Sequence, residues 1–221
     1  MKTFFVSDVH IGSKYCLADL FIEFLRALPP DATLVLNGDT MDRLRGGLPP
    51  RHQEALDLLR EESFRRTVVW VSGNHDETYR MPEPGRIEFR ATYNVGARLF
   101  VAHGYDFDNV MPYHRLFVKL FRAMHAVRVF LGAESVHVAH YAKKWPILYR
   151  VLLKGVLMNA VEYAKENGYQ AVTCGHTHFA EDVVMDGIRY VNTGAWTELP
   201  VYYLLADDQD IKLHEYRGGG L

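Results

Sequence analysis

The sequence predicts an α/β protein built around a sheet with parallel strands. Two observations carry this reading. Apolar runs of strand length alternate with amphipathic stretches of helix length from Thr3 to Val71, and the chain closes on short strands joined by tight turns. Two rounds of strand, helix, strand require crossover connections, and crossovers join parallel strands. A chain of 221 residues suits one domain, 1–221, with room for a sizeable core. A hydrophobic fraction of 48% and a charged fraction of 24% are those of an ordinary globular protein. The formal net charge of -2 gives no global reason to expect nucleic acid as a partner. Cys16 and Cys174 sit in unrelated contexts, which fits a reducing compartment better than a disulfide scaffold.

The first strand, Thr3 to Ser7, runs directly into Asp8-Val9-His10. Residues two apart on an extended chain point to the same side, so Asp8 and His10 can face one ion together. Leu17 to Leu28 carries a helical stripe of leucine and phenylalanine that Pro29-Pro30 stops. The strand Thr33 to Leu36 delivers Asn37-Gly38-Asp39 and then Asp42, and helix propensity returns from about His52 to Arg66. Val68 to Val71 reads as a strand ending in Ser72-Gly73-Asn74-His75-Asp76. Taken alone, that stretch could be a polar turn bonding its own backbone. After Pro82 and Pro84 the composition is loop-like until the strand Arg98 to Ala102, which ends in His103-Gly104.

From roughly Asn109 to Asn167 the periodicity is helical almost throughout, with nine basic residues against three acids. Such an asymmetry is expected either of a solvated helical face or of one that meets an anionic partner. Gln170 to Thr173 is the next strand and leads into Cys174-Gly175-His176-Thr177-His178. Cys174 reads as a small core residue under this loop. Val183 to Met185 and Ile188 to Val191 flank Asp186-Gly187, a hairpin signal, and Tyr202 to Leu205 with Ile211 to His214 form a second hairpin.

The N-terminus meets Asp8 too soon to carry the apolar core of a signal peptide. The greasiest region, Pro146 to Val161, is interrupted by Arg150 and Lys154 and falls short of a membrane span. The expectation is a cytoplasmic protein that does not cross a membrane.

Five strand ends thus carry ligand-type side chains: Asp8 with His10, Asp39, Asn74 with His75, His103, and His176 with His178, four of them beside glycine. A mixture of carboxylate, amide oxygen and imidazole suits Mn²⁺, Fe or Zn²⁺ better than Ca²⁺. The ligand number exceeds what one ion takes and points to two ions, in such sites about 3.5–4 Å apart.

Asp8-Val9-His10, Gly38-Asp39, Gly73-Asn74-His75, His103-Gly104 and Gly175-His176-Thr177-His178 stand in the order of the five blocks of calcineurin-type metallophosphoesterases, and the chain resembles that family along almost its whole length. The resemblance implies a two-sheet αββα sandwich with a helical insertion at about 109–167, and a phosphoester hydrolase working with two divalent metal ions. Mn is expected first, with Fe, Zn or Co also compatible. It implies that Asp8, His10 and His178 hold one ion, that Asp39 bridges, and that Asn74, His103 and His176 hold the other. His75 resembles the family's non-ligand histidine at the leaving oxygen, and Asp76 is expected to orient it through its other ring nitrogen.

The basic helical insertion between the fourth and fifth blocks is similar to that of the UDP-2,3-diacylglucosamine hydrolase branch of lipid A synthesis. That likeness implies a nucleotide-linked acylated sugar as substrate and contact of the insertion with anionic lipid at the inner face of the membrane. Tyr113 resembles a substrate-contacting tyrosine of the branch. The chain departs from the branch in having His75 where arginine is common, Tyr105 where an acid is common, and Phe179-Ala180-Glu181 where a proline is common. The run Asn192-Thr193-Gly194-Ala195-Trp196-Thr197-Glu198 resembles a late motif of sister proteins. The alternatives are a soluble phosphodiesterase or phosphatase for small phosphoesters, and a non-catalytic scaffold that kept the fold.

Overall fold

The computed structural model describes residues 2–42, 46–109, 123–124, 127, 130 and 146–221. The strands are β1 Thr3–Val6, β2 Thr33–Asn37, β3 Val68–Val71, β4 Glu88–Arg90, β5 Tyr93–Val95, β6 Leu99–Val101, β7 Ala171–Cys174, β8 Glu181–Met185, β9 Ile188–Asn192, β10 Val201–Ala206 and β11 Ile211–Tyr216. Among the described residues the helices with defined bounds are α1 Ala18–Ala27, α2 Pro50–Glu62 and α3 Pro146–Glu166, and a 3₁₀ turn spans Tyr105–Phe107; residues 123–124, 127 and 130 are also helical.

Two mixed sheets form. One has the order β11-β10-β1-β2-β3-β4 and the other β5-β6-β7-β9-β8. Strands β1, β2, β3 and β4 are mutually parallel, as are β6, β7 and β9. The alternation of each strand explains the layering. Phe4, Val6, Leu34, Leu36, Val68 and Trp70 pack with Phe21, Phe24, Leu25 and Leu59 of α1 and α2 in one core. Their neighbours in the chain, Phe5, Val35, Val69 and Val71, face Leu99, Val101, Ala171 and Val191 of the other sheet. Phe100, Val172 and Tyr190 point outward again to meet Leu157, Ala160 and Ala164 of α3. Strands buried on both faces must be apolar at nearly every position, which is how these runs read. The result is the expected four-layer αββα sandwich.

Among the described residues the predicted strands, the first two predicted helices and the last part of the 109–167 stretch are present with boundaries shifted by a few residues, and both hairpins form. Asp186 and Gly187 take φ of 52° and 81°, as a tight hairpin turn demands. Strands β4 and β5 are a correction to the loop-like reading after Pro84. Each has three residues, β4 lies at a sheet edge with all three exposed, and so neither carries a hydrophobic alternation to read. Of the segment expected as a helical insertion, about 109–167, α3 is described. The positions between 109 and 146 that carry most of its basic and apolar stripes, Tyr113 among them, lie outside the described residues apart from the four already given.

One buried side chain ties the two sheets together under the rim. Asn37 Nδ2 donates to Ala102 O at 3.2 Å and to Thr173 O at 3.4 Å. Asn37→Ala takes this donor from Ala102 O and leaves Thr173 O with the Ala102 N–H at 3.2 Å, in a site closed to water. It is expected to cost ~1–3 kcal/mol of unfolding free energy, read from the denaturant midpoint.

Candidate metal centre

The parallel strands of both sheets end at one rim, and each end turns abruptly. Six non-glycine residues among those described have positive φ, and five of them are Asp8 (54°), His10 (52°), Asp39 (49°), His176 (65°) and His178 (56°). The left-handed region costs an ordinary residue on the order of 1–3 kcal/mol and persists only where surrounding contacts impose it. Those contacts run between the loops. Asp8 N and His10 N donate to Gly38 O and Asp39 O at 3.0 and 2.9 Å, and Ile11 pairs with Met41 as a short parallel bridge. Trp196 N donates to Asp8 O at 3.0 Å, and Gly175 N donates to His103 O at 2.8 Å.

Gly38 and Gly104 are at positive φ, whereas Gly73 and Gly175 are required by crowding alone. A Cβ on Gly73 would collide with the backbone N and carboxylate of Asp39, and one on Gly175 would collide with Asp8 Oδ2 and Ser7. Each glycine therefore makes room for an acid arriving from a different strand.

The side chains converge as the loops dictate. Asp8 Oδ1 lies 3.1 Å from His178 Nε2, 3.9 Å from His10 Nε2 and 4.0 Å from His103 Nε2. Asp39 Oδ2 lies 3.3 Å from His103 Nε2 and 4.0 Å from both His10 Nε2 and His75 Nε2. His10 Nε2 and His178 Nε2 are 3.2 Å apart. The sets Asp8–His10–His178, His10–Asp39–His75 and Asp8–Asp39–His103 each bring their ligand atoms within 4.8 Å of one another. Asp8, His10, Asp39, His103 and His178 are buried. His176 stands beside them: its Nδ1 is 3.0 Å from Asn74 Oδ1, and its backbone N donates to Asp8 Oδ2 at 3.0 Å.

These groups set one another's charge. Burial pushes the Asp8 carboxyl up, but the His178 and His103 charges outweigh it and hold the group at about 2. Burial likewise works against ionised Asp39, whose carboxyl the neighbouring His103, His10 and His75 nevertheless hold well below the carboxylate range. Burial and the nearby His178 depress His10 to about 3. At His103 burial works against the charged ring, yet Asp39 and Asp8 raise it to about 10. Two buried carboxylates thus recruit positive charge to the rim. Asp8 Oδ1 and His103 Nε2 are nevertheless buried without a hydrogen bond among the described residues. A carboxylate oxygen and an imidazole nitrogen of that kind, facing a common point, fit a divalent cation.

The family model for calcineurin-like phosphoesterases matches residues 1–180. The chain belongs to that family. Among curated relatives, the DNA polymerase II small subunit of Thermoplasma acidophilum is 24% identical over 231 residues, covering 89% of this chain and 45% of the relative. That of Methanothermobacter thermautotrophicus is 28% identical over 151 residues, covering 48% of this chain and 31% of the relative. The chain spans less than half the length of the curated relatives it matches. Among solved structures, an archaeal phosphodiesterase superposes with a TM-score of 0.52 at 15% identity, covering 97% of this chain and 99% of that one, a likeness of fold alone.

Two acids in this calcineurin-like chain stand differently from the sequence-based expectation. Asp76 does not serve as the acid on His75 Nδ1; that position is taken by Asp42, with Oδ1 at 2.8 Å. Asp76 instead closes its own loop. It accepts from Gly73 N at 2.7 Å, Thr40 N at 2.8 Å, Met41 N at 3.3 Å and Trp70 Nε1 at 3.0 Å. Burial pushes its carboxyl above the ordinary range, against the pull of the Gly73 hydrogen bond. An acid adjacent in sequence thus anchors the turn, while an acid from the β2 loop reaches the histidine.

The second acid, Asp108, was not singled out from sequence at all. Its Oδ2 lies 2.9 Å from His176 Nε2. The available signal was a second acid after His103, but Asp106 and Asp108 look alike in sequence, and only the fold buries Asp108 while exposing Asp106.

Proposed function

We propose that this chain is a phosphoester hydrolase that works with two divalent metal ions at the rim, and that its substrate is a nucleotide-linked acylated sugar cut at the pyrophosphate. The observation that carries the first part is the convergence of buried Asp8, His10, Asp39, His103 and His178 from four different strand ends. Asp8, His10 and His178 would hold one ion, Asn74, His103 and His176 the other, and Asp39 would be shared. Such ions, when bound, make water nucleophilic near neutral pH and neutralise charge building on phosphoryl oxygens. The protein's own groups do the rest. His75 presents Nε2 toward Asp39 at 4.0 Å while Asp42 holds its Nδ1, so the ring can hand a proton to a leaving oxygen from Nε2. Its backbone N–H donates to Asp39 Oδ1 at 2.7 Å, which ties the proton donor to the shared ligand.

The substrate class rests on α3 and its place between the fourth and fifth motifs. Tyr149 of α3 donates its hydroxyl to Thr177 O at 2.7 Å, between His176 and His178. Phe179, the next residue, is 40% exposed and meets the Tyr149 ring edge-on. Exposed Val151 and Met158 share α3 with exposed Arg150 and Lys154, a surface suited to acyl chains beside phosphate or anionic headgroups. Among the described residues no helix is long and apolar enough to cross a membrane, so the proposed contact is peripheral, at the inner face. Hydrolysis of small soluble phosphoesters is the second reading. His75, at a position where the lipid-sugar branch commonly has arginine, favours it.

The test supplies Mn²⁺ and UDP-2,3-diacylglucosamine and measures UMP. Release that exceeds turnover of p-nitrophenyl esters supports the lipid reading; equal use of unacylated substrates moves the assignment to the second, and no turnover of any phosphoester removes both. Metal uptake should also depend on pH. His103, raised to about 10, must lose its proton to bind a cation, so apparent affinity should rise with pH through neutrality and fall in acid. Titration calorimetry in buffers of different ionisation enthalpy reads the released proton directly.

A further inference from the structure

We infer that Asp108 is a positioning residue for the second cation, acting through His176. The inference rests on the proposed two-ion centre and adds to it a residue outside the five motifs. His176 has both ring nitrogens engaged on opposite sides: Nδ1 faces Asn74 Oδ1 at 3.0 Å, and Nε2 faces Asp108 Oδ2 at 2.9 Å. Asn74 Oδ1 and the Asp108 carboxylate both accept hydrogen bonds and donate none, so with a cation held at Nδ1 the neutral ring carries its proton on Nε2, facing Asp108. The lone pair of Nδ1 is then directed to the Asn74 side. An imidazole nitrogen and an amide oxygen that present lone pairs to each other at 3.0 Å are stabilised by a cation between them. A histidine that binds metal through one nitrogen and a carboxylate through the other is the usual device for fixing ring orientation and tautomer.

The rest of the site requires this orientation. The His176 main chain is in the left-handed region at 65°, with its N–H committed to Asp8 Oδ2. The backbone therefore sets where the ring starts but leaves its rotation to a partner. Asp108 supplies that partner from a defended place. It is 3% exposed, and its backbone N donates to Tyr105 O at 3.2 Å to close the 3₁₀ turn. That turn is pinned to α3, where Asn159 Nδ2 donates to Phe107 O at 2.7 Å and Tyr163 packs on the Phe107 ring. The insertion thereby reaches the second ion site through a chain of three contacts: α3 to Phe107, Asp108 to His176, His176 to Asn74.

The full chain with Asp108→Asn and with Asp108→Ala is titrated with MnCl₂ alone, by calorimetry and by the spin-coupled Mn²⁺ resonance. The expected result is an unchanged first equivalent and a second equivalent weakened about 10–100-fold, less in Asn than in Ala because Asn keeps an acceptor oxygen. Excess Mn²⁺ should restore the coupled signal and kcat in both. A role confined to folding would instead lower the thermal midpoint of the metal-free chain, weaken both equivalents alike and resist rescue by metal. That pattern, or a second affinity within about twofold of the native value, overturns the inference. In the native protein loaded with Zn²⁺, histidine ¹⁵N spectra should place the His176 proton on Nε2, and a proton on Nδ1 overturns it as well. If the native chain takes up no second ion, the two-ion reading falls together with this one. If it takes up two and the Asp108 variants match it, this inference falls alone.

Discussion

Asp39→Ala is expected to lose hydrolysis by more than about 100-fold. Removing outer partners of metal ligands costs about 10–100-fold, and Asp39 is the group both proposed ion sites share. Its Oδ2 faces His103, His10 and His75 at 3.3, 4.0 and 4.0 Å, while its Oδ1 accepts the His75 backbone N–H. The deletion therefore removes a ligand, leaves buried His103 without its nearer carboxylate and releases the loop that carries His75. Asp39→Asn separates these effects. It keeps an oxygen for the His75 N–H and the shape against Gly73 but removes the charge. Bound metal, measured by mass spectrometry after gel filtration, should fall from two equivalents to at most one in both variants. Native metal content and native rate in Asp39→Asn would mean that shape alone matters, and would contradict a shared ion ligand.

His75→Ala is expected to lower kcat by about 10²–10⁴ on esters of poor leaving groups, the range typical of a lost general acid. The loss should shrink on p-nitrophenyl esters, because p-nitrophenolate departs without a proton. Metal content is the deciding readout, since His75 Nε2 lies close enough to His10 and Asp39 to join an ion site itself. A proton donor leaves two equivalents bound after its removal, whereas a ligand does not. Asp42→Asn should reproduce part of the same loss, because Asp42 holds the other ring nitrogen at 2.8 Å. Asp76→Asn should instead act on stability. Four donors converge on that buried carboxylate, and replacing one oxygen by an amide nitrogen leaves at least one of them facing another donor.

The ligand-type residues were legible because their placement is local. Asp8, Asp39, Asn74, His103, His176 and His178 each lie two to four residues past the end of a strand whose apolar run is plain in the sequence. Parallel strands joined by crossovers bring such ends to one rim whatever their detailed packing. The family likeness then supplied roles that spacing cannot. Strands β4 and β5 were not legible: three residues of mixed polarity at or near a sheet edge carry no periodicity, and their pairing is decided by the neighbours β3 and β6.

The chain's own chemistry, then, settled which side chains gather and in what order, since alternation and turn residues act over a few neighbours. The fold alone decided what each gathered group touches. Nothing near His75 in sequence distinguishes Asp76 from Asp42 as its partner, and nothing near His103 marks Asp108 over Asp106. Those choices depend on hydrogen bonds between loops far apart in the chain, which also hold five ligand-type residues at positive φ. A left-handed backbone at Asp8 or His176 is unfavourable in the isolated segment and exists only because a neighbouring loop imposes it. The orientation of the site is therefore a property of the packed rim, not of any one motif.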